Sequence, residues 1–124
     1  MSDLREYISQ VKKIKELKTI KTKVSTKYEI AGVTAKVDQS HAVLFENIKE
    51  SDFRLVSNLV GTRKRFALAV GGTESNIHQK VISAIKNAKT PKIIPTGKFM
   101  ENKSKNINSM PIVTHFEKES GPFI

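Results

Sequence analysis

The stretch Val56-Ser57-Asn58-Leu59-Val60-Gly61-Thr62-Arg63-Lys64-Arg65 combines the end of a strand, a turn and the start of a helix. The apolar residues of 53–59 predict a β-strand, and Gly61 interrupts it. The Thr62 side chain can accept a hydrogen bond from a backbone N–H one turn later, so we expect a helix over residues 63–70. Gly71-Gly72 then ends that helix. The stretch therefore predicts a strand, a break at Gly61 and a helix that follows directly.

The first turn of this helix is unusually basic. Free N–H groups at a helix start, with cations beside them, can hold a phosphate or a carboxylate, which makes Thr62, Arg63, Lys64 and Arg65 a candidate contact for an anion or a partner. Cations in a first turn also oppose the helix dipole, which indicates a negative partner for them. That partner could equally be a carboxylate of the same fold. We favour the simpler interpretation, a capped helix with a solvated basic first turn.

Hydrophobic periodicity and capping residues predict the elements before this stretch. An apolar stripe with spacings of four and three predicts a first helix that begins after Asp3. Alternation predicts a half-buried strand at residues 20–24, and Thr26 with Glu29 has the spacing of a capping box. The apolar run 42–45 predicts a strand covered on both faces. The stripe of the first helix consists of Leu4, Ile8, Val11, Ile14 and Leu17.

A last helix is predicted after Thr73, which we expect to cap it, and its apolar stripe is expected to face inward. The order α, β, α, β, β, α, α predicts an α/β (α+β) fold, a small mixed β-sheet with flanking helices. We divide the chain into an N-terminal α/β domain, residues 1–90, and an extended C-terminal connector, residues 91–124, in which 93–94 and 112–113 are strand-like. The inward stripe consists of Ile77, Val81, Ile82, Ile85 and Ala88.

The composition of the chain limits the functional classes to which it can belong. The net charge of +10 would attract polyanions. The sequence has two Tyr and no Trp, which poorly supports a surface for stacking on bases, so nucleic acid is not the expected partner. No stretch approaches the ~20 apolar residues of a membrane span, and the charged N-terminus resembles no export signal. The absence of cysteine excludes disulfides and zinc–thiolate sites. We expect a cytoplasmic protein without membrane contact.

Patterns typical of catalysis are not evident in the sequence. The three histidines, His41, His78 and His115, are isolated from one another in sequence, and none of them is expected to form a helical metal-binding pair. Gly71-Gly72-Thr73 lacks the Gly-Lys-Ser/Thr ending of a phosphate loop, and a helix–helix corner explains both glycines. No pair of carboxylates stands out as acid and base.

Several stretches, taken together and in order, resemble the N-terminal region of the UbiD-type decarboxylases, the family of the 3-octaprenyl-4-hydroxybenzoate carboxy-lyases. Residues 13–17 and 38–41 lack glycines expected in that family, which affects local loop shape and not the fold. The stretches that carry the resemblance are residues 3–8 (DLREYI), 44–49 (LFENIK), 56–65 (VSNLVGTRKR), 67–71 (ALAVG), 110–113 (MPIV) and 121–124 (GPFI).

The resemblance implies one part of a larger enzyme. In that family an N-terminal α/β domain precedes a split-barrel domain that binds prenylated FMN, with a divalent metal and potassium. The Arg and two Glu that act on the substrate belong to the barrel, so no catalytic, cofactor-binding or metal-binding residue is assigned to this chain. Residues 121–124 resemble the lead-in to the split β-barrel, and we expect Pro122, Phe123 and Ile124 to contact a partner. The expected partner is a larger UbiD-type chain carrying the barrel, with a homo-oligomer as a further form of assembly.

Two functions follow from these observations. The first is a small N-terminal subunit or truncated form of a prenylated-flavin-dependent (de)carboxylase, with a structural and assembly role and with catalysis on a partner chain. The alternative is a stand-alone basic module that binds RNA or phosphorylated ligands, which the net charge motivates.

Overall fold

The structure is a computed structural model and describes residues 3–121. The order of its elements, α, β, α, β, β, α, α, confirms the predicted order, and two short 3-10 turns follow in the connector. None of the helices in this part of the chain has the length and apolarity that crossing a membrane requires. The elements are α1 (Leu4–Lys13), β1 (Leu17–Ile20), α2 (Glu29–Lys36), β2 (Ala42–Phe45), β3 (Leu55–Ser57), α3 (Arg63–Ala69) and α4 (Ile77–Lys86), with the 3-10 turns at Lys98–Met100 and Ile107–Ser109.

The sheet is mixed, as predicted, and its strand order is β1-β2-β3. β1 runs parallel to β2, with Leu17 opposite Ala42, because α2 supplies the crossover that a parallel connection needs. β3 is antiparallel to β2, with Leu55 opposite Phe45. The central strand therefore receives hydrogen bonds from both neighbours.

Both faces of β2 are covered, which confirms the prediction for residues 42–45. Val43 and Phe45 point to one face and pack with Ile30 of α2. Ala42 points to the other face and packs with Tyr7 and Val11 of α1. The domain thus has two small apolar clusters, one on each side of the sheet.

The first helix ends earlier than its stripe predicts. Lys15 adopts a left-handed conformation, φ 61°, and the Glu16 N–H donates to the Val11 carbonyl, which closes the helix at Lys13. Strand β1 therefore begins at Leu17 and ends at Ile20, so the predicted strand at residues 20–24 was placed too late in the sequence. Val24 forms only an isolated bridge with Ile48. The predicted cap at Asp3 is confirmed, because its side chain accepts from the Glu6 N–H at 2.8 Å.

The predicted capping box of α2 is wrong. Tyr28, with φ 70°, occupies the N-cap and makes no side-chain capping bond. Glu29 does reach back, but to the Ser25 N–H at 2.6 Å. Glu50 accepts from the Thr26 N–H at 2.9 Å, so Thr26 is held by a carboxylate from another loop. A hydrogen bond to a residue distant in sequence therefore holds Thr26, in place of the predicted local cap.

Helix α4 departs most from expectation. Asn76 rather than Thr73 is its N-cap, and the Thr73 N–H donates to the Asn76 side chain at 2.8 Å. Of the stripe predicted to face inward, only Ile77 is buried. Val81, Ile82, Ile85 and Ala88 are exposed on the surface of residues 3–121. The periodicity identified an apolar face correctly, but the described chain does not cover it.

The connector contains no strand within residues 91–121, contrary to the strand-like pattern at 93–94 and 112–113. Its first part is open, with Ile93 exposed by 93%. Its later part returns to the domain: the Thr114 N–H donates to the Thr26 carbonyl and Val113 packs against the cluster of Phe45.

Replacing Phe45 with alanine should lower the free energy of unfolding by about 4 kcal/mol, because it removes a fully buried ring from the centre of a cluster. The matched control is Phe99→Ala, since that ring is 80% exposed and its loss should cost less than about 0.5 kcal/mol. Urea unfolding followed by circular dichroism measures both. Equal effects of the two substitutions would contradict this assignment of the core.

Candidate functional site

The stretch from β3 to α3 is held by backbone constraints on both sides of its turn. Asn58 has φ 55°, and its side-chain amide donates to the Asp38 carbonyl at 2.7 Å and the His41 carbonyl at 2.8 Å. This left-handed residue also ends β3 earlier than predicted. A Cβ atom on Gly61 would lie 1.7 Å from the Asn58 side-chain oxygen, so this position requires glycine. The turn is therefore tied to the loop that leads into β2.

Helix α3 begins and ends as the sequence predicts. The Thr62 hydroxyl accepts from the Arg65 N–H at 3.3 Å. At the other end, Gly71 adopts φ 66° and the Gly72 N–H donates to the Ala67 carbonyl at 2.7 Å. These caps fix the direction in which the first-turn side chains leave the helix.

Arg65 lies in the interior of the domain. Its side chain is fully buried, and its Nη1 donates to Glu16 Oε2 at 3.1 Å and to the Ser40 carbonyl at 2.9 Å. Its Nε and Nη2 atoms find no hydrogen-bond partner among the described residues. A buried guanidinium needs compensation for the hydration it has lost, and Glu16 supplies the only negative charge bonded to it in residues 3–121.

Lys64 binds the other oxygen of the same carboxylate, with its Nζ 2.7 Å from Glu16 Oε1. The hydrogen bond from Lys64 lowers the pKa of the Glu16 carboxyl, against the opposing effect of burial and with further help from Arg65. Glu16 thus stays ionised at neutral pH. The structure supplies the carboxylate of the same fold that the sequence left open as a partner of these cations.

Tyr7 completes the cluster from α1. Its hydroxyl lies 2.8 Å from the Arg65 carbonyl oxygen and 2.9 Å from the Leu59 carbonyl oxygen. Burial raises the pKa of the Tyr7 phenol, so the hydroxyl keeps its proton for this contact. α1, the turn after β3 and the start of α3 therefore meet at one hydrogen-bonded point.

The four residues predicted to contact an anion or a partner are divided by the fold. Thr62 serves as a cap, Arg65 is buried, and Lys64 is bound to Glu16 while remaining about half exposed. Arg63 is exposed and donates to the Glu74 carbonyl at 3.2 Å. An anion site at the exposed pair Arg63 and Lys64 stays a prediction. Pro122, Phe123 and Ile124, the predicted partner contacts, lie outside the described residues.

In residues 3–121 no three His, Cys, Asp or Glu side chains lie together as ligands of a metal ion. His115 contacts Glu119 at 3.2 Å, and both belong to a surface turn. The described side chains therefore do not fit the divalent metal that the family resemblance implies, and we assign no metal-dependent step to them.

Apolar surface is the second distinctive feature. A groove of about 320 Å³ lies between α3 and α4, lined by Arg63, Phe66, Ile77, His78, Val81 and Ile82. Its floor is Ile77, which is buried, while Ile82 on its rim is 52% exposed. The sequence predicted these apolar residues but not their exposure.

Comparison with known proteins identifies the family to which this chain belongs. The model of the 3-octaprenyl-4-hydroxybenzoate carboxy-lyase N-terminal domain matches residues 8–85, more than half of the chain. The chain belongs to the UbiD family. The matched range runs from α1 to the last turn of α4, so it contains Glu16, Arg65 and the whole turn between β3 and α3.

Individual relatives agree with this membership. The chain is 27% identical, over 98% of its length, to anhydromevalonate phosphate decarboxylase from Methanothermobacter thermautotrophicus, of which it covers 28%. It is 27% identical, over its full length, to a 4-hydroxybenzoate decarboxylase subunit from Chlamydia pneumoniae, of which it covers 25%. The chain thus spans about a quarter of the length of these curated relatives.

Solved structures give the same result. The UbiD-class enzyme HmfF from Pelotomaculum thermopropionicum, in complex with FMN, superposes with a TM-score of 0.87 at 28% identity. That match covers 96% of this chain and 28% of the enzyme. An evolved dimeric form of the same enzyme, in complex with prFMN, gives a TM-score of 0.82 at 26% identity. The α/β fold described above is therefore the fold of the UbiD N-terminal domain.

Replacing Glu16 with glutamine should lower the free energy of unfolding at pH 7 by about 2–3 kcal/mol, because it leaves the buried Arg65 charge without its counter-ion. The estimate lies below the ~3–5 kcal/mol for fully buried pairs because the Glu16 side chain retains 18% exposure. The pKa of Glu16 is lowered in the folded state, so its contribution is present above the unfolded pKa of about 4.3. The contribution is lost as the pH falls through the lower, folded pKa.

Urea unfolding at pH 7 and at pH 3 measures this effect: the gap between the natural protein and Glu16→Gln should be smaller at pH 3. Glu29→Gln is the control, since Glu29 binds Lys49 in a pair that is about half exposed and should change stability much less. A gap independent of pH would show that the Glu16 charge does not stabilise the fold.

Proposed function

We propose that this chain is the N-terminal structural component of a UbiD-type (de)carboxylase, with the chemistry carried out on a barrel domain borne by a partner chain. The observation that carries the proposal is the match of residues 8–85 to the family's N-terminal domain. The titratable groups at its centre support the same role, because Glu16, Lys64 and Arg65 bind one another instead of facing a cavity.

The relatives support an assembly of this kind. One of them is by name a component of a multi-chain decarboxylase, and one HmfF structure is a dimeric form. Their lengths leave room for a barrel domain larger than this one, since the chain covers 28% of HmfF. The reaction of the whole would be the removal or addition of CO2 on an aromatic or α,β-unsaturated acid.

The cofactor belongs to the partner in this proposal. HmfF was solved with FMN and with prFMN, and prenylated FMN would supply the electron sink for decarboxylation. A divalent metal and potassium would accompany it on the barrel. The role of the present chain in this proposal is structural. The chain would cover the barrel, shape the approach to the substrate site and support assembly. Residues 91–121 would form the link toward the barrel.

Mixing this chain with the barrel-bearing UbiD-type polypeptide of the same organism, loaded with prenylated FMN, should give a stable complex. The complex should release CO2 from an aromatic or unsaturated acid faster than either component does, because the assembled domains define the substrate approach. Light scattering measures the complex, and carbon dioxide evolution measures the activity.

Omission of the flavin is the control for that experiment, and it should abolish CO2 release. Full activity and unchanged stability of the barrel-bearing chain by itself would contradict the structural role. Turnover by this chain with prenylated FMN but without any other protein would contradict it equally.

A further inference from the structure

Most of the apolar stripe of α4 is exposed on the surface of the described residues. Positions 77, 81, 82 and 85 fall on one side of a helix with 3.6 residues per turn. Exposure rises along that side, from 5% at Ile77 through 38% at Val81 and 52% at Ile82 to 73% at Ile85. The N-terminal end of the stripe is therefore anchored on α3, and the rest lies uncovered by residues 3–121.

Phe66 extends this surface across to α3. Its ring is 41% exposed and lines the same groove as Val81 and Ile82. We call the surface formed by Phe66, Ile77, Val81, Ile82 and Ile85 the α4 face. A contiguous apolar surface of this kind on a small domain is typical of a protein interaction site.

The stretch of chain that carries the α4 face is rich in positive charge. Between residues 58 and 100 the only acidic residue is Glu74. Arg63 lines the groove, and Lys86 stands in the last turn of α4. Carboxylates at the edge of a partner that covers this face would strengthen its binding, and further cations there would weaken it.

This charge pattern argues against a second copy of the chain as the occupant. In a two-fold symmetric contact the same surface meets itself, so the cations Arg63 and Lys86 of the two copies would approach one another. The sequence between residues 58 and 100 offers a single carboxylate to offset them. A different polypeptide with acidic residues at its edge fits better.

The lengths of the relatives indicate which polypeptide this is. The HmfF structure matches 96% of this chain but only 28% of its own length, so most of that protein has no counterpart in this chain. The polypeptide that corresponds to this larger remainder is therefore the occupant that we assign to the α4 face.

We propose that the α4 face is the docking surface for the barrel-bearing chain, which contacts it through an apolar ridge edged by carboxylates. This inference rests on the proposed function and adds to it the surface and the chemistry of the contact. Ile82 and Val81 provide the apolar centre, and Arg63 and Lys86 provide the charged rim.

The test is the affinity between this chain and the barrel-bearing UbiD-type polypeptide of the same organism, measured by isothermal titration calorimetry. Ile82→Glu should weaken binding by about thirtyfold or more, because it places an unpaired carboxylate in the apolar centre. Lys86→Glu should weaken binding about fivefold, and should also reduce its dependence on salt.

Phe53→Glu is the matched control. Phe53 is 56% exposed, close to the value for Ile82, and it lies in the β2–β3 connection, where its N–H donates to the Ser51 hydroxyl. Its substitution should leave the affinity unchanged. Because Ile82 is already half exposed, circular dichroism and urea unfolding should find both variants folded.

The outcomes separate this inference from the proposed function. If the natural chain binds and Ile82→Glu binds equally well, the α4 face is not the docking surface, although the structural role stands. If the natural chain does not bind the barrel-bearing polypeptide, both fail. If sedimentation shows that the natural chain self-associates and Ile82→Glu is monomeric, a second copy covers the face and the inference is overturned.

Discussion

A buried guanidinium holds this domain together. Arg65 carries its positive charge into the interior of a small protein, where an uncompensated ion costs several kcal/mol. Glu16 compensates its charge and the Ser40 carbonyl accepts a further hydrogen bond from Nη1, and these two groups come from loops that precede β1 and β2. The turn before α3 must therefore lie where both loops meet, and the Tyr7 hydroxyl fixes α1 to the same point. Charge compensation thus couples four segments that a mere apolar core would hold less specifically.

Sequence reasoning reached the elements that depend on local chemistry. The Thr62 cap, the glycine stop after α3 and the doubly covered strand β2 follow from neighbours within a few residues, and the structure has all three. Sequence reasoning failed where a residue distant in sequence determines the contact. Glu16 lies 49 positions from Arg65, and nothing in the spacing of either identifies the other. Lys15 adopted a left-handed conformation that moved β1, and periodicity described an apolar face on α4 without saying what covers it.

The division of the basic first turn of α3 bears directly on function. A cluster of cations at a helix start is typical of an anion site, yet Arg65 faces the interior and Lys64 binds an internal carboxylate. Residues 56–65 are one of the stretches by which the chain resembles UbiD-type decarboxylases, and their most basic part therefore serves largely to build the domain. The apolar face of α4 is exposed on the described residues, and it is the surface that we propose meets the rest of the enzyme.

The coupling between Glu16 and Arg65 tests this account most directly. A double-mutant cycle of Glu16→Gln and Arg65→Met, measured by urea unfolding at pH 7, isolates the free energy that the two side chains share. The account predicts a coupling of about 2 kcal/mol or more, because Arg65 without Glu16 keeps an unmatched charge in the interior. Additive effects, within about 0.5 kcal/mol, would contradict it and would free Arg65 for the role of a ligand-binding residue.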